Sequence, residues 1–498
     1  MSRKNLVHAG NGRVWTIEGG VGPSRAPAYL GRASIGNSSY NFGESTKVEE
    51  PDPKTYDKFE SVDSIPGAKE RPTMSIQARY STDLSDFLRL ARKGCRLDIH
   101  LHFGKCRDPQ DFNGGWEKIR VYPDGKISTW SDDNASAMES GDNASTTEQI
   151  DLSAADIFEL GWMEYGSVAA TQATREIVDV VVCDLASCGG DCGDPSEGYN
   201  KVFALMKPLG SSAGASPRVI FSDDAFATAD WDDISSLVYT DTATAILCIG
   251  SYIVVLSDSA NGLEYTTRAL LLAGTPSWVE VLTGFVAAKT PNDGVTIDAR
   301  HTWICGNGGY IYFTADPTTG VSVVDAGSLT VQNLNKIDAY DDENVVAVGA
   351  ANAVVYTLDG TNWIAVTGPS PAVALTAVAC MGRGIWMVGN ASGGVYYTEN
   401  YGATWTTIGL PIAITAIKDI AFVDETEGFL TGTMSSHGYI FRTVSGGNSW
   451  YACPERVGAA VPTVDAFNSL AVAKGVHNWV LAGGLADNGS AGIIVKGA

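Results

Sequence analysis

The residues of this chain best suited to chemistry are few, and the tightest group is Cys183, Cys188 and Cys192 in the phrase CDLASCGGDC. Three thiols so close, beside turn-forming glycines, match three of the four ligands of a zinc ion, with Cys95 or Cys106 as the fourth. Their spacing is not the paired C-x-x-C of a zinc ribbon, so plain thiols in a tight loop outweigh metal, with a disulfide formed after release between the two. His100 and His102 lie two apart on one strand face, a spacing that places two imidazoles on one metal but that any solvent-facing strand also produces. The acidic run from Asp132 to Glu148 lacks the ordered ligand array of a calcium loop and reads as a solvated loop. GNGGYIY at 306–312 and GNASGGVYY at 389–397 neither precede a helix nor carry the Lys-Ser/Thr of a phosphate loop, so both read as strand-to-strand turns. Tyr310, Tyr396, Tyr397 and Trp386 beside them suit stacking on sugars, and suit a sheet core better. No metal, cofactor or catalytic set is expected from these groups.

The elements that would position such residues are louder than the residues themselves. Three times an apolar strand runs into the same phrase: VVYTLDGTNW ending at Trp363, VYYTENYGATW at Trp405 and IFRTVSGGNSW at Trp450. The cleanest copy is Thr398, Asn400, Gly402, Thr404 and Trp405. Thr443, Ser445, Gly447, Ser449 and Trp450 repeat it, and Thr357, Asp359, Gly360 and Trp363 repeat it with one residue fewer. A hydroxyl and a short polar side chain bond turn amides, glycine takes positive φ, and tryptophan opens the returning strand with a large face to bury. Degraded copies end at Trp231 or surround Asp258 and Asp316, and strands ending in Gly precede most copies: AILCIG, TWICGN, VVAVGA, IWMVGN, GFLTG and WVLAGG. Dividing the stretch from Lys201 to the end by seven gives about 43 residues per unit, the length of a four-stranded propeller blade. The spacing predicts a seven-bladed β-propeller over 201–498, its last blade completed by KVFALMK at 201–207.

Before it, the reading gives an N-terminal arm with irregular strands over 1–72, a β-domain core over 73–187 and a Gly/Cys-rich linker over 188–200. Charge density supports the split: residues 1–200 hold 21 Lys/Arg and 31 Asp/Glu, against 13 and 26 in the longer remainder. TMSIQARY reads as a strand and STDLSDFLRLARKG as a short capped helix, with Leu84, Phe87, Leu88 and Ala91 on one face. RLDIHLHF alternates as a half-buried strand, KIRVYPDGKISTW suggests a hairpin at Asp124-Gly125, and EQIDLSAADIFEL and REIVDVVVCDLA supply further strands or a short helix. The fold class expected is mainly β: a sandwich or barrel with one short helix, then the propeller.

With 498 residues and a formal charge of −23, a large phosphate-binding surface is excluded. The N-terminus has no apolar leader core and no run of eighteen apolar residues occurs, so neither a signal peptide nor membrane insertion is expected.

Two resemblances follow. The Thr-x-(Asp/Asn/Ser)-x-Gly-x-(Thr/Ser)-Trp phrase resembles the Asp-box (BNR) propellers, which include sialidases and photosystem assembly factors. The layout over about 40–180, from VEEPDPKTYDKFESVDSIPGAKERPTMSIQARY through helix and strand to SDDNASAMESGDNASTTEQIDLSAADIFEL, looks like the tail tube proteins of long-tailed bacteriophages. That second resemblance implies a virion protein of the tail, assembled in the host cytoplasm. It would stack in rings, usually hexameric, with other tail proteins as partners and DNA as transient cargo in the lumen. The propeller would be an outward decoration and a candidate contact for host surface glycans. A soluble propeller scaffold or assembly factor is the alternative. Sialidase-like hydrolysis is a distant third, because Arg218, Arg268, Arg300, Arg383, Arg442 and Arg456 form no arginine motif of that family.

Overall fold

The structure is a computed structural model. It describes the backbone of nine strands between residues 13 and 167, and, with a few strand-end side chains left aside, residues 175–183, 201–208, 217–222, 232–233, 243–257, 262–434, 437–453, 464–473, 479–486 and 492–497. The predicted helix at 81–94 lies outside the described residues, as do Cys188 and Cys192.

The chain divides into two compact units, the first made mainly of residues 1–20 and 25–161, the second mainly of 162–453 and 460–498. In the first unit eight strands form one antiparallel sheet. Its path runs Ala28–Arg32, Arg13–Glu18, Leu97–Phe103, Lys118–Asp132, Thr147–Ser153, Thr73–Arg79 and Ser34–Gly36, with Phe158–Leu160 pairing off it to Lys118–Asp132. The expected hairpin at Asp124-Gly125 is not formed. Lys118–Asp132 is one continuous strand whose first half pairs with Leu97–Phe103 and whose second half pairs with Thr147–Ser153. The register shifts where Leu97 faces Gly125 and Ile99 faces Tyr122, which gives Pro123 a bulge in which its missing N–H costs no ladder bond.

Seven four-stranded antiparallel sheets follow, each running from an inner to an outer strand. Blade 1 starts at Arg175–Cys183 and continues through Lys201–Pro208, Arg218–Ser222 and Asp232–Asp233. Blades 2 to 6 are continuous in sequence, with inner strands Ala243–Ile249, Pro291–Asp298, Leu334–Ala339, Leu375–Gly382 and Ala416–Phe422. Blade 7 takes Val464–Ala473, Trp479–Ala486 and Gly492–Gly497 from the C-terminal end, and its outer strand is Trp162–Ser167. The ring therefore closes two strands earlier than the sequence reading placed it. KVFALMK is the second strand of blade 1, and Arg175–Cys183, read above as part of the first domain, is that blade's inner strand. Burial explains the assignment: Val202 to Met206 are all at 0% exposure, which fits a central strand and not an outer one.

Seven apolar clusters hold the blades together, one per interface. Ile304, Tyr312 and Leu247 join blades 2 and 3, Trp303, Ile337 and Val345 join 3 and 4, and Ile177, Val202, Leu481 and Ile494 join blade 7 back to blade 1. The Gly-ended strands have a steric reason. A Cβ on Gly306 would sit 2.6 Å from the Thr290 carbonyl oxygen, and one on Gly349 would collide with that of Asn333, so the chain entering the same blade's inner strand can pass. Five of the six phrases are second strands; AILCIG is the inner strand of blade 2.

The repeated turns are hydrogen-bonded staples. Thr404 N–H donates to Asn400 Oδ1 at 2.9 Å, Gly402 N–H to Thr398 Oγ1 at 3.0 Å, and Gly402 sits at φ 76°. Ser449 N–H donates to Ser445 Oγ and Gly447 N–H to Thr443 Oγ1, at 2.9 and 3.0 Å. In the shorter copy Asn362 Nδ2 donates to Asp359 Oδ2, and the amides of Asn362 and Thr361 donate to Oδ1; these bonds hold the carboxyl well below the usual carboxylate range.

Candidate functional site

The inner strands contact one another in order around the ring, and the last contacts the first. Each carries a β-bulge, near its N-terminal end in blades 1 to 6 and, as the second of two, in mid-strand in blade 7. The residue just after the bulge is equivalent in all seven blades: Asp179, Ala245, Asp293, Lys336, Ala377, Asp419 and Ser469. This position concentrates the charge of the axis, and the sequence reading singled out none of its residues.

Each carboxylate of this ring bonds the next blade. Asp179 Oδ2 accepts from Ile246 N–H at 2.9 Å, Asp293 Oδ2 from Ile337 N–H at 3.0 Å, and Asp419 Oδ2 from Leu470 N–H at 2.8 Å. Ser469 Oγ donates to Asp179 Oδ1 at 2.6 Å and links blade 7 to blade 1. The bulged residues add a second rung. Thr244, Asn292, Asn335, Thr376 and Asn468 donate from their side chains to the carbonyls of Pro291, Leu334, Leu375, Ile417 and Ile177, all in the following blade. Asp338 adds a third contact, its Oδ2 accepting from Cys380 N–H at 2.7 Å. Every interface between inner strands thus carries a side-chain-to-backbone bond. Where the bulged residue is Val178 or Lys418, the neighbouring Asp179 or Asp419 makes it.

Lys336 is the cation of the ring. Its Nζ lies 3.6 Å from Asp293 Oδ1 in blade 3 and 4.0 Å from Asp419 Oδ2 in blade 6, so it reaches over the alanine that blade 5 places at this level. Its side chain is 24% exposed, while those of Asp293 and Asp419 are 10% and 12%. One ammonium faces three carboxylates. Burial raises the Asp293 carboxyl to about 7 against the pull of Lys336, and it raises that of Asp419 as well. The same carboxylates outweigh burial at Lys336 and hold its ammonium more firmly protonated than usual. The thiol of Cys305, buried beside Asp293, is pushed up far from thiolate formation.

This arrangement ties neighbouring blades together. A nucleophilic lysine needs a lowered pKa and a nucleophilic cysteine a thiolate, and neither Lys336 nor Cys305 is in that state. The candidates from sequence are scattered. Cys183 is bonded to Cys248, tying blade 1 to blade 2, so it is no zinc ligand. Among the described residues no group of three or more His, Cys, Asp and Glu side chains forms a metal cluster. His100 and His102 pair at backbone level with Trp15 and Arg13. Arg218, Arg268, Arg300, Arg383 and Arg442 sit in five different blades, with Arg442 paired to Glu427 at 2.7 Å and Arg383 to Asp341 and Glu343. Arg456 lies outside the described residues. Tyr396 and Trp386 are buried in the interface of blades 4 and 5, Tyr397 is half-buried, and Tyr310 packs under Lys289. His301 contacts both Asp298 oxygens at 2.9 Å, but Asp298 also caps the amides of Arg300 and His301, which makes the pair a hairpin-turn device.

No protein-family model matches the chain, and no curated protein matches it. Among solved structures it is similar to YCF48 from Cyanidioschyzon merolae, at 13% identity over 67% of this chain and 98% of that one, TM-score 0.47. It is similar to virginiamycin B lyase from Staphylococcus aureus with quinupristin, at 12% over 67% and 97%, TM-score 0.47. A streptogramin B lyase gives 10% over 67% and 96%, TM-score 0.49. Likeness at this level concerns the fold and carries no activity across. Among the described residues no helix is long and apolar enough to cross a membrane.

Proposed function

We propose that the protein is a non-catalytic propeller scaffold that binds other protein surfaces. The observation that supports this is the use made of the axis. Position after position that could have faced a ligand is bonded to the next blade, and Lys336 is shared by buried carboxylates. Binding energy is then left to the outer surfaces, presented on a ring stiffened at every interface.

A second reading, the tail tube subunit, is favoured by one observation. The strands between Arg13 and Leu160 form an antiparallel sheet in a compact unit of their own, apart from the propeller's sheets. On that reading the first unit assembles into rings, other tail proteins are partners, and the propeller is carried outside. Electron microscopy of the full chain at high concentration separates the two. Rings or stacked tubes support the tail subunit. Dispersed particles, with mass by light scattering independent of concentration, remove it and leave the scaffold reading. Turnover of a sialoside or of a cyclic streptogramin peptide by the purified chain would overturn both.

A further inference from the structure

The outer strand of a propeller blade is a sheet edge, and natural edges are blunted by shortness, charge, proline or a bulge. Six of the seven edges here follow that rule as described. The outer strands of blades 1, 2, 5 and 6 run two or three residues: Asp232–Asp233, Val279–Val281, Thr406–Ile408 and Tyr451–Ala452. Those of blades 3 and 7, Ser322–Ala326 and Trp162–Ser167, are longer, but each is paired through a register shift. Blade 4 is the exception. Trp363–Thr367, WIAVT, pairs with Ala353–Thr357 over five consecutive positions without a shift, and it holds no charged residue and no proline. Ile364 is 44% exposed, and Ala365 and Thr367 are exposed beside it. The Thr367 carbonyl accepts from Trp405 Nε1 at 3.0 Å, which anchors the strand's end to blade 5.

Charge points to the occupant. From Asn344 to Gly382 the sole charged residue is Asp359, in a chain of net charge −23. A basic partner would gain nothing from this strip, whereas two copies of so acidic a chain can approach only where charge is absent. The strand is also self-complementary. Laid antiparallel on its own copy about Ala365, it sets Ile364 opposite Val366 twice on one face and Trp363 opposite Thr367 on the other, pairs of the apolar and aromatic kind that stabilise strand pairing.

We propose that the outer edge of blade 4, Trp363–Thr367, pairs antiparallel with the same edge of a second copy of this chain, joining two propellers through a continuous sheet. This deepens the scaffold reading by naming a partner, and it is independent of any assembly by the first unit. The test uses the full chain with Ala365→Cys. On the two-fold axis the two Cβ atoms stand at strand-pair distance, within reach of a disulfide. Mild oxidation is expected to give a covalent dimer on non-reducing gels, to give more of it as salt rises and repulsion is screened, and to give none with Thr361→Cys, an exposed control in the preceding turn. Adding Ile364→Lys to Ala365→Cys, at an exposed position that leaves the fold intact, is expected to cut the yield at least about tenfold. Equal cross-linking of the two cysteine variants, yield falling with salt, or indifference to Ile364→Lys would each overturn the proposal. Absence of the Ala365→Cys cross-link in a chain that forms no rings or tubes would overturn the edge pairing and leave the scaffold reading in place.

Discussion

Replacing Lys336 by Met isolates what the ring cation contributes. At 3.6 Å from Asp293 and 4.0 Å from Asp419, with an effective dielectric near 20, each attraction is about 4 to 5 kcal/mol before desolvation. Desolvation cancels much of that, but deleting one partner of a buried set leaves the others uncompensated, which costs about 3 to 5 kcal/mol. The loss depends on pH because the carboxylates can take up protons instead. Asp293 holds its proton to about 7, so near pH 5 it is neutral in either chain, its share of the attraction is already absent, and the loss falls below about 2 kcal/mol. The assay is urea unfolding of the full chain at pH 5 and pH 8, with tryptophan fluorescence reporting the propeller. A loss equal at the two pH values, or under about 0.5 kcal/mol at pH 8, would refute the reasoning. Adding Asp293→Asn and Asp419→Asn to Lys336→Met is expected to regain most of the stability, since polar groups without charge keep the backbone bonds.

Three further outcomes follow from the same geometry. Asp293 titrates at about 7 in the folded state against an ordinary 3.8, so its contribution is complete below pH 3.8 and is lost as pH rises through 7; Asp293→Asn should flatten the decline of stability between pH 5 and 8. Reduction of Cys183–Cys248, which closes a separation of 65 residues, should lower stability by about 2 to 4 kcal/mol, with a matched loss in the Cys183→Ala/Cys248→Ala variant. Asn400→Ala removes the acceptor for Thr404 N–H and should cost about 1 kcal/mol in thermal or urea unfolding, with Asn400→Asp retaining most of it.

The blades were legible in the sequence because their information is local. Strand, turn and tryptophan lie within about a dozen residues in each copy, and hydroxyl, short polar side chain and glycine have one joint use there. The ring was not legible for the opposite reason. Asp179, Asp293, Lys336 and Asp419 stand one to a blade, each an ordinary charged residue in its own strand, and only closure of the ring brings them together. One signal was present. A polar pair sits at the bulge of several inner strands, as Asn292-Asp293, Asn335-Lys336 and Asn468-Ser469, and aligning the blades on it would have lined up the ring. Closure by Trp162–Ser167 left no local trace, because that strand is separated from its sheet by most of the chain. The Cys183–Cys248 bond was hidden likewise, since Cys183 has closer neighbours in sequence than its partner in space.

The central claim, that the propeller axis is a clamp and not a binding site, rests on the amides of Ile246, Ile337 and Leu470 being held by buried carboxylates. Amide hydrogen exchange resolved to those three positions tests it most directly. The account predicts protection close to that of the central strands, lost only on global unfolding of the propeller. Exchange at the rate of surface loops, with the neighbouring strands still protected, would show an axis that opens to solvent and would contradict it.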